Sequence, residues 1–565
     1  MAIDERDNLL LVDNLSITFS QRGNKTEAVK NISFDLRKGQ RLGIVGESGS
    51  GKSVTSLSIL KLISSASSEV SGTISFNYDG SNLDIQRADQ KQLYKIRGRR
   101  ISMIFQEPMN TLNPVRTCGS QVKEVLDVHD IKDKGDRRAF VLSLFDKVQL
   151  SDVDRIYTSY PHELSGGQLQ RVCIAMAIAT SPDILICDEP TTALDVTIQK
   201  DIVDLIKGLT TSDDLSLIFI SHDLDVVAEL CDSVLVMYKG EIVEKGDLPA
   251  TFLSPKHAYT KALLLCKPTP DRREYKLSTV QDVLAGQTQT DIHRTPRDTS
   301  IQAGFLEVAD LKVYFPHKRS WPWEAKKYVK AVDGVTFDLG EKEILGIVGE
   351  SGSGKSTVAK AIAGLLSPTE GAITYRGKDL TRRILQTDKK LRTQIQLVFQ
   401  DPYSSLNPQM TIGAALREPV RYHKIVPRDQ VSNYALQLLE EVGLDASYDR
   451  RYPHQLSGGQ RQRVCIARAL SVQPKLLICD ESVSALDVSI QAQILNLLDE
   501  LRSKRDISML FISHDLSVVH YLCDRILVMK DGLIVEKGAS DQVMYAATHP
   551  YTQKLISSIP TAIGT

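Results

Sequence analysis

The string GESGSGKS stands twice in the chain, at residues 46–53 and 349–356. Both copies fit G-x-x-x-x-G-K-[ST], and the chemistry this spacing serves is the holding of a polyphosphate. Gly46, Glu47, Ser48, Gly49, Ser50 and Gly51 can turn backbone N–H groups inward around an anion, at a helix N-terminus whose dipole favours negative charge. Lys52 would then bridge the β- and γ-phosphates and Ser53 would hold Mg²⁺, with Val54 opening the helix. Gly349, Glu350, Ser351, Gly352, Ser353, Gly354, Lys355, Ser356 and Thr357 repeat the same arrangement. A Gly-Ser turn followed by a chance lysine could produce one such string; two in the same context could not.

Two apolar stretches end in Asp-Glu, at Asp188-Glu189 and Asp480-Glu481. A carboxylate at a strand's C-terminal end beside a phosphate loop is suited to Mg²⁺, which places Asp188 and Asp480 there. Glu189 and Glu481 would orient and deprotonate an attacking water. LSGGQ also occurs twice. Ser165 and Ser457 are N-cap residues by type, and the following Gly166, Gly167, Gln168 and Gly458, Gly459, Gln460 expose N–H groups to a second anion site in each half.

The elements that must carry these residues are written twice as well. The glycine-rich strings lie 303 residues apart, whereas LSGGQ, CDE and SHDL each recur after 292. The halves therefore match in core elements and differ in surface insertions. The first is longer around residues 64–97, and the second is longer at residues 316–328, a stretch that holds both tryptophans. Those tryptophans, set among Lys and Arg, suit either a hairpin tip covering its own strands or a membrane or partner contact. RLGIVG, ILGIVG, DILICDE, LLICDE, LSLIFISHD and ISMLFISHD read as buried strands, and they alternate with helical stretches. The pattern predicts an α/β fold with a mostly parallel sheet covered by helices. Residues 267–304 are polar and Pro-containing and read as a linker between a first domain at 7–266 and a second at 305–565.

Composition narrows the function classes. The chain has 565 residues and is 42% hydrophobic, so it must bury more than one core. Lys plus Arg number 69 against 70 Asp plus Glu, a balance that disfavours a nucleic-acid backbone binder. No run of roughly 18 apolar residues occurs, and the charged start is not that of a secretory signal. Of the eight cysteines, six are three positions copied at the 292-residue offset, and only Cys118 and Cys266 stand alone. That pattern fits a reduced protein with core cysteines, and it predicts no metal cluster near Cys266.

The set of motifs resembles the nucleotide-binding domain of ABC transporters over nearly the whole chain. The resemblance implies two tandem P-loop NTPase domains, each with a RecA-like core, an antiparallel β subdomain and a helical subdomain. It implies that Gln106 and Gln400 contact Mg²⁺ or water and sense a membrane partner, that His222 and His514 contact the γ-phosphate, and that Asp195 and Asp487 link the sites across the interface. Phe19 and Phe315 match the aromatic that stacks on adenine, although a core aromatic would look the same. QEPMNTLNP, QDPYSSLNP, YPHELSGGQ, YPHQLSGGQ and the tails HAYTKALL and HPYTQKLI resemble the ATPases of peptide importers.

For such an importer the resemblance implies ATP and Mg²⁺, two transmembrane permease subunits, an extracytoplasmic solute-binding protein, and a peripheral place on the cytoplasmic face of the inner membrane. The halves would close head to tail, with ATP on Lys52 capped by Ser457 and ATP on Lys355 capped by Ser165. Both glutamates and both LSGGQ strings are intact, so two competent sites are expected. The competing reading is a tandem ABC ATPase acting on ribosomes or nucleic acid; the sequence after SHD and the linker composition favour transport.

Overall fold

The computed structural model describes residues 8–21, 24–64, 67–78, 80–131, 135–192, 194–212, 215–268, 276–286, 304–316, 328–381, 388–484 and 486–559. The first half contributes β1 (Asn8–Gln21), β2 (Asn24–Arg37), β3 (Arg41–Val45), β4 (Ser68–Tyr78), β5 (Ser81–Asp84), β6 (Ile101–Ile104), β7 (Ile184–Asp188), β8 (Ser216–Ser221), β9 (Ser233–Tyr238) and β10 (Glu241–Asp247). They form an antiparallel sheet in the order β2-β1-β4-β5 and a six-stranded sheet in the order β10-β9-β3-β8-β7-β6. In the second sheet β3 lies parallel between β8 and β9, and β7 continues from β8 to β6. Strands β7 and β8 are buried along their whole length, so both faces are covered and the sequence shows an unbroken apolar run.

The second half repeats this with β11 (Leu306–Pro316), β12 (Tyr328–Leu339), β13 (Ile344–Val348), β14 (Glu370–Tyr375), β15 (Lys378–Asp379), β16 (Ile395–Val398), β17 (Leu476–Asp480), β18 (Ser508–Ser513), β19 (Arg525–Lys530) and β20 (Leu533–Ala539). The sheet orders are the same, β12-β11-β14-β15 and β16-β17-β18-β13-β19-β20. A helical layer intervenes in each half between the sixth-position strand and the LSGGQ helix. It comprises Cys118–Val128, Arg137–Lys147 and Val153–Thr158 in the first half, and Ile412–His423 and Val431–Glu441 in the second.

Part of the extra length expected at residues 64–97 is a longer strand, since β4 has 11 residues and its counterpart β14 has 6. Leu93 and Ile96, on the helix that follows, are buried in the core of the β-rich layer. The two tryptophans lie outside the described residues, but the strands that bracket them are antiparallel neighbours, with Pro316 opposite Tyr328.

One apolar cluster runs from the first half into the second and takes in Leu277 and Val280. These belong to the stretch read as linker. Its residues 276–286 include a short helix, Val280–Leu284, capped by Thr279. Leu277 donates its N–H to Asn496 Oδ1 at 3.0 Å and accepts from Asn496 Nδ2 at 2.8 Å, while the helix packs on the first half's Ala258–Leu265. Residues 276–286 of the connection thus pack against both halves.

Candidate nucleotide sites

Each glycine-rich loop leaves a buried strand and enters a helix, Lys52–Ile59 in the first half and Lys355–Ile362 in the second. Gly51 and Gly354 stand at the N-caps with φ 102°, in the left-handed region, and neither helix has a side-chain cap. The N-terminal N–H groups are therefore not consumed by a capping side chain. A Cβ on Gly46 would lie 2.2 Å from the Met237 carbonyl, and one on Gly349 2.1 Å from that of Met529, so both loops require glycine there.

Lys52 Nζ donates to the Gly46 carbonyl at 2.7 Å and the Glu47 carbonyl at 2.9 Å; Lys355 repeats this with Gly349 and Glu350 at 2.7 and 2.8 Å. Burial lowers both lysine pKa values, against the pull of Glu189 on Lys52 and of Glu481 on Lys355. Ser50 Oγ is buried on the loop without a hydrogen-bond partner among the described residues. Ser53 Oγ donates to Asp188 Oδ1 at 3.0 Å, and Ser356 Oγ donates to Asp480 Oδ1 at 2.8 Å. A hydroxyl beside a carboxylate is the hard-oxygen set that Mg²⁺ takes, so the donors present fit that ion. Burial raises the Asp188 carboxyl to about 6 and raises Asp480 as well.

Beside them stand Glu189 and Glu481, at φ 48° and 46°, a conformation uncommon for a non-glycine residue. Their N–H groups bond the carbonyls of Ile220 and Ile512. Glu189 Oε2 accepts from Gln106 Nε2 at 3.0 Å and Thr192 Oγ1 at 3.0 Å, and lies 3.2 Å from His222 Nδ1. In the second half Gln400 Nε2 donates to Glu481 Oε2 at 2.7 Å and His514 Nδ1 lies 3.7 Å away. Burial opposes the charge on Glu189, but the His222 hydrogen bond and nearby Lys52 outweigh it and hold the carboxyl at about 2. His222 and His514 are raised in turn, the glutamates overcoming desolvation.

The two halves face each other with opposite ends. A cavity of about 700 Å³ is lined by Glu47, Ser48, Gly49, Ser50, Gln106, Glu189 and His222 from one half and by Ser457, Gly458, Gly459 and Asp487 from the other. Val280, Gln281 and Leu284 of the linker segment line it too. At the other pair of ends, the Ser351 N–H bonds the Asp195 carboxylate. Ser165 and Ser457 cap their helices in reciprocal boxes with Gln168 and Gln460. The second glycine of each LSGGQ also has a packing reason: a Cβ on Gly167 would meet Ile198 Cγ2 at 2.8 Å, and one on Gly459 would meet Ile490 Cγ2 at 2.3 Å.

Phe19 is not among the residues lining this first-half cavity. Phe19 packs half-buried on the β-layer core, and Phe315 is 40% exposed on β11. Sequence reasoning missed several contacts. Thr197 Oγ1 donates to Glu350 Oε1 across the halves at 2.7 Å, and Ser489 Oγ donates to Glu47 in the mirror position. Their signal was a hydroxyl residue two places after Asp195 and Asp487 in both halves. Lys267 Nζ sits between Asp223 Oδ1 at 2.7 Å and Asp225 Oδ2 at 2.6 Å. No sequence signal separates it from other linker lysines.

Residues 29–192 and 332–484 match the ABC transporter family, and residues 243–292 and 535–563 match the oligopeptide/dipeptide transporter C-terminal region. The chain is 44% identical over 556 residues to the glutathione import ATP-binding protein GsiA of Pectobacterium atrosepticum, covering 98% of this chain and 89% of that protein. It is 43% identical over 570 residues to GsiA of Escherichia coli K12, covering 99% and 91%. Among solved structures, a dimeric post-hydrolysis state of the ATP-binding cassette MJ0796 bound to ADP and Pi matches at 27% identity, over 42% of this chain and 98% of that one, with a TM-score of 0.38. Among the described residues, no helix is long and apolar enough to cross a membrane. With two matched cassettes in tandem, each followed by the oligopeptide/dipeptide C-terminal region, the chain belongs to the ATP-binding, ATP-hydrolysing proteins of the ABC transporter family.

Proposed function

We propose that this chain energises the import of peptides or peptide-like solutes through two partner membrane permeases, fed by an extracytoplasmic solute-binding protein, from the cytoplasmic face of the inner membrane. Its motor would be the closure of a first nucleotide-binding unit, 7–266, on a second, 305–565, joined by 267–304. The observation that carries this is the cavity in which the first phosphate loop faces Ser457, Gly458 and Gly459 of the other half. The glutathione-import names of its relatives supply the solute class.

In this reading Lys52 and Lys355 reach the phosphates from their places at the Gly46 and Gly349 carbonyls, and Phe19 and Phe315 stack on adenine. Ser165, Gly166, Gly167 and Gln168 cap the Lys355 site; Ser457, Gly458, Gly459 and Gln460 cap the Lys52 site. Ser53, Gln106 and Asp188, with Ser356, Gln400 and Asp480, would hold Mg²⁺, which supplies charge neutralisation at the phosphate oxygens. Asp195 and Asp487 connect one site to the other. ATP favours closure because only the closed form offers both surfaces to the γ-phosphate, and the covalent link keeps the partners at high effective concentration.

Glu189 and Glu481 act as bases toward water. While His222 is bound to it, Glu189 is too acidic for that task. Transfer of His222 from the carboxylate to the γ-phosphate adds a positive group where charge develops and frees the base in the same movement. The test is reconstitution with the two permeases in vesicles. Uptake of glutathione or short peptides should require ATP and disappear with Lys52→Ala/Lys355→Ala. Copurification with ribosomes in place of permeases would refute the transport reading.

A further inference from the structure

The tails that follow each cassette carry a tyrosine whose hydroxyl reaches the phosphate loop of its own half. Tyr259 Oη accepts the Glu47 N–H at 3.0 Å, and Tyr551 Oη accepts the Glu350 N–H at 3.1 Å. The tail is built to deliver that group. Glu244 accepts the N–H groups of Lys256 at 2.8 Å and His257 at 3.1 Å, and Glu536 does the same for Thr548 at 2.7 Å and His549 at 3.3 Å. His257 Nδ1 and His549 Nδ1 then cap the tail helices through the tyrosine N–H groups, at 3.1 and 3.2 Å. Tyr259 is fully buried, with its ring 4.2 Å from that of Tyr238, and Tyr551 is 7% exposed beneath Lys530. Burial raises both phenol pKa values, so the hydroxyls are neutral when they accept.

The peptide they grip is the one that orients the lysine. In a trans peptide the C=O of one residue and the N–H of the next point in opposite directions. With the Glu47 N–H fixed on Tyr259, the Gly46 carbonyl must face away from the tail, where Lys52 Nζ meets it at 2.7 Å. The Gly349–Glu350 peptide stands in the same relation to Tyr551 and Lys355. The same geometry arises in both halves although the loops are 303 residues apart and the tails 292.

We propose that Tyr259 and Tyr551 are positioning residues for nucleotide, each holding the phosphate-loop lysine of its own half in place from the C-terminal tail. This rests on the assignment of the two loops as nucleotide sites.

The test is equilibrium binding of Mg·ATP to the full chain, with one site silenced at a time. In a Lys355→Ala background, Tyr259→Phe should raise Kd roughly five- to tenfold, since the Gly46–Glu47 peptide loses the acceptor that fixes its orientation. In the same background Tyr551→Phe should change Kd less than twofold. In a Lys52→Ala background the two phenylalanine variants should exchange roles. The substitution keeps the ring and its packing, so thermal midpoints should stay close to the parent's. An unchanged Kd for Tyr259→Phe with Lys355→Ala, or an equal loss from both tyrosine variants in one background, overturns the proposal alone. Binding retained by Lys52→Ala/Lys355→Ala overturns the assignment of the loops and the proposal with it.

Discussion

His222 Nδ1 lies 3.2 Å from Glu189 Oε2, so the histidine that would meet the γ-phosphate is joined here to the carboxylate that would activate water. The pair is a resting lock. The glutamate is held at about 2 and the histidine is raised, so both are charged through the weakly acidic range.

The lock has a pH window. Glu189 is depressed in the folded chain, so its contribution is complete above the usual glutamate value of about 4.3 and is lost as pH falls through about 2. His222 is raised, so its contribution is complete below about 6.5 and is lost as pH rises through its folded value. The thermal midpoint of the wild type should therefore exceed that of His222→Ala by most between about pH 4.5 and 6.5, and the gap should narrow toward pH 9. A gap that is constant across that range would remove the ion pair from the account.

Both halves keep the glutamate in the same strained conformation and bonded to its own glutamine. Steady-state ATPase measurements should therefore show that Glu189→Gln and Glu481→Gln, made singly, each remove at least about half of the turnover. The double variant should lose about a hundredfold or more, the scale of a general base. If either single variant hydrolyses ATP at the parent rate, the corresponding site is idle.

Lys267 is the partner of two neighbouring carboxylates, Asp225 buried and Asp223 part-exposed, and the 292-residue offset puts Ile559 at the matching place in the second half, with Ser517 matching Asp225. Removing the cation leaves the buried Asp225 without compensation and costs less than the about 3–5 kcal/mol of a fully buried pair, because Asp223 keeps access to water. Hydrogen exchange on residues 216–230 should report this loss in Lys267→Met. Adding Asp225→Ser, which copies the second half, should restore half or more. Equal exchange in Lys267→Met and the parent would show that the carboxylates find another partner.

The parallel core was legible because its strands are buried on both faces and end at the motifs they present, so pattern and function coincide within a few residues. The 276–286 segment was not. Leu277 and Val280 are too few to make a period in a polar stretch, and the Asn496 that fixes Leu277 lies 219 residues away. The tail tyrosines were visible as HAYT and HPYT, but the loop N–H that Tyr259 meets is 212 residues distant, and no local pattern encodes such a partner. Of the candidate site residues, Glu47, Ser48, Gly49, Ser50, Gln106, Glu189 and His222 line one cavity with Ser457, Gly458, Gly459 and Asp487. Phe19, packed on the β-layer core, does not line the first-half cavity.

The contacts between Thr197 and Glu350 and between Ser489 and Glu47 tie the helix after each cross-interface aspartate to the opposite phosphate loop. A hydrogen bond to a charged acceptor contributes about 1.5–3 kcal/mol, and about 1.4 kcal/mol corresponds to tenfold in an equilibrium constant. Removing one of them should therefore weaken closure around nucleotide by about tenfold without touching the loop itself. In Thr197→Val and in Ser489→Ala the ATP concentration that half-saturates the ATPase should rise by about that factor, while turnover at saturation stays within about twofold. Because each hydroxyl serves the loop of the other half, Thr197→Val should weaken binding at the Lys355 site measured in a Lys52→Ala background. In a Lys355→Ala background the same substitution should leave the Lys52 site near its parent affinity. If Thr197→Val acted on the Lys52 site instead, the two loops would not be held from across the interface, and the head-to-tail contact would have no energetic role in nucleotide binding.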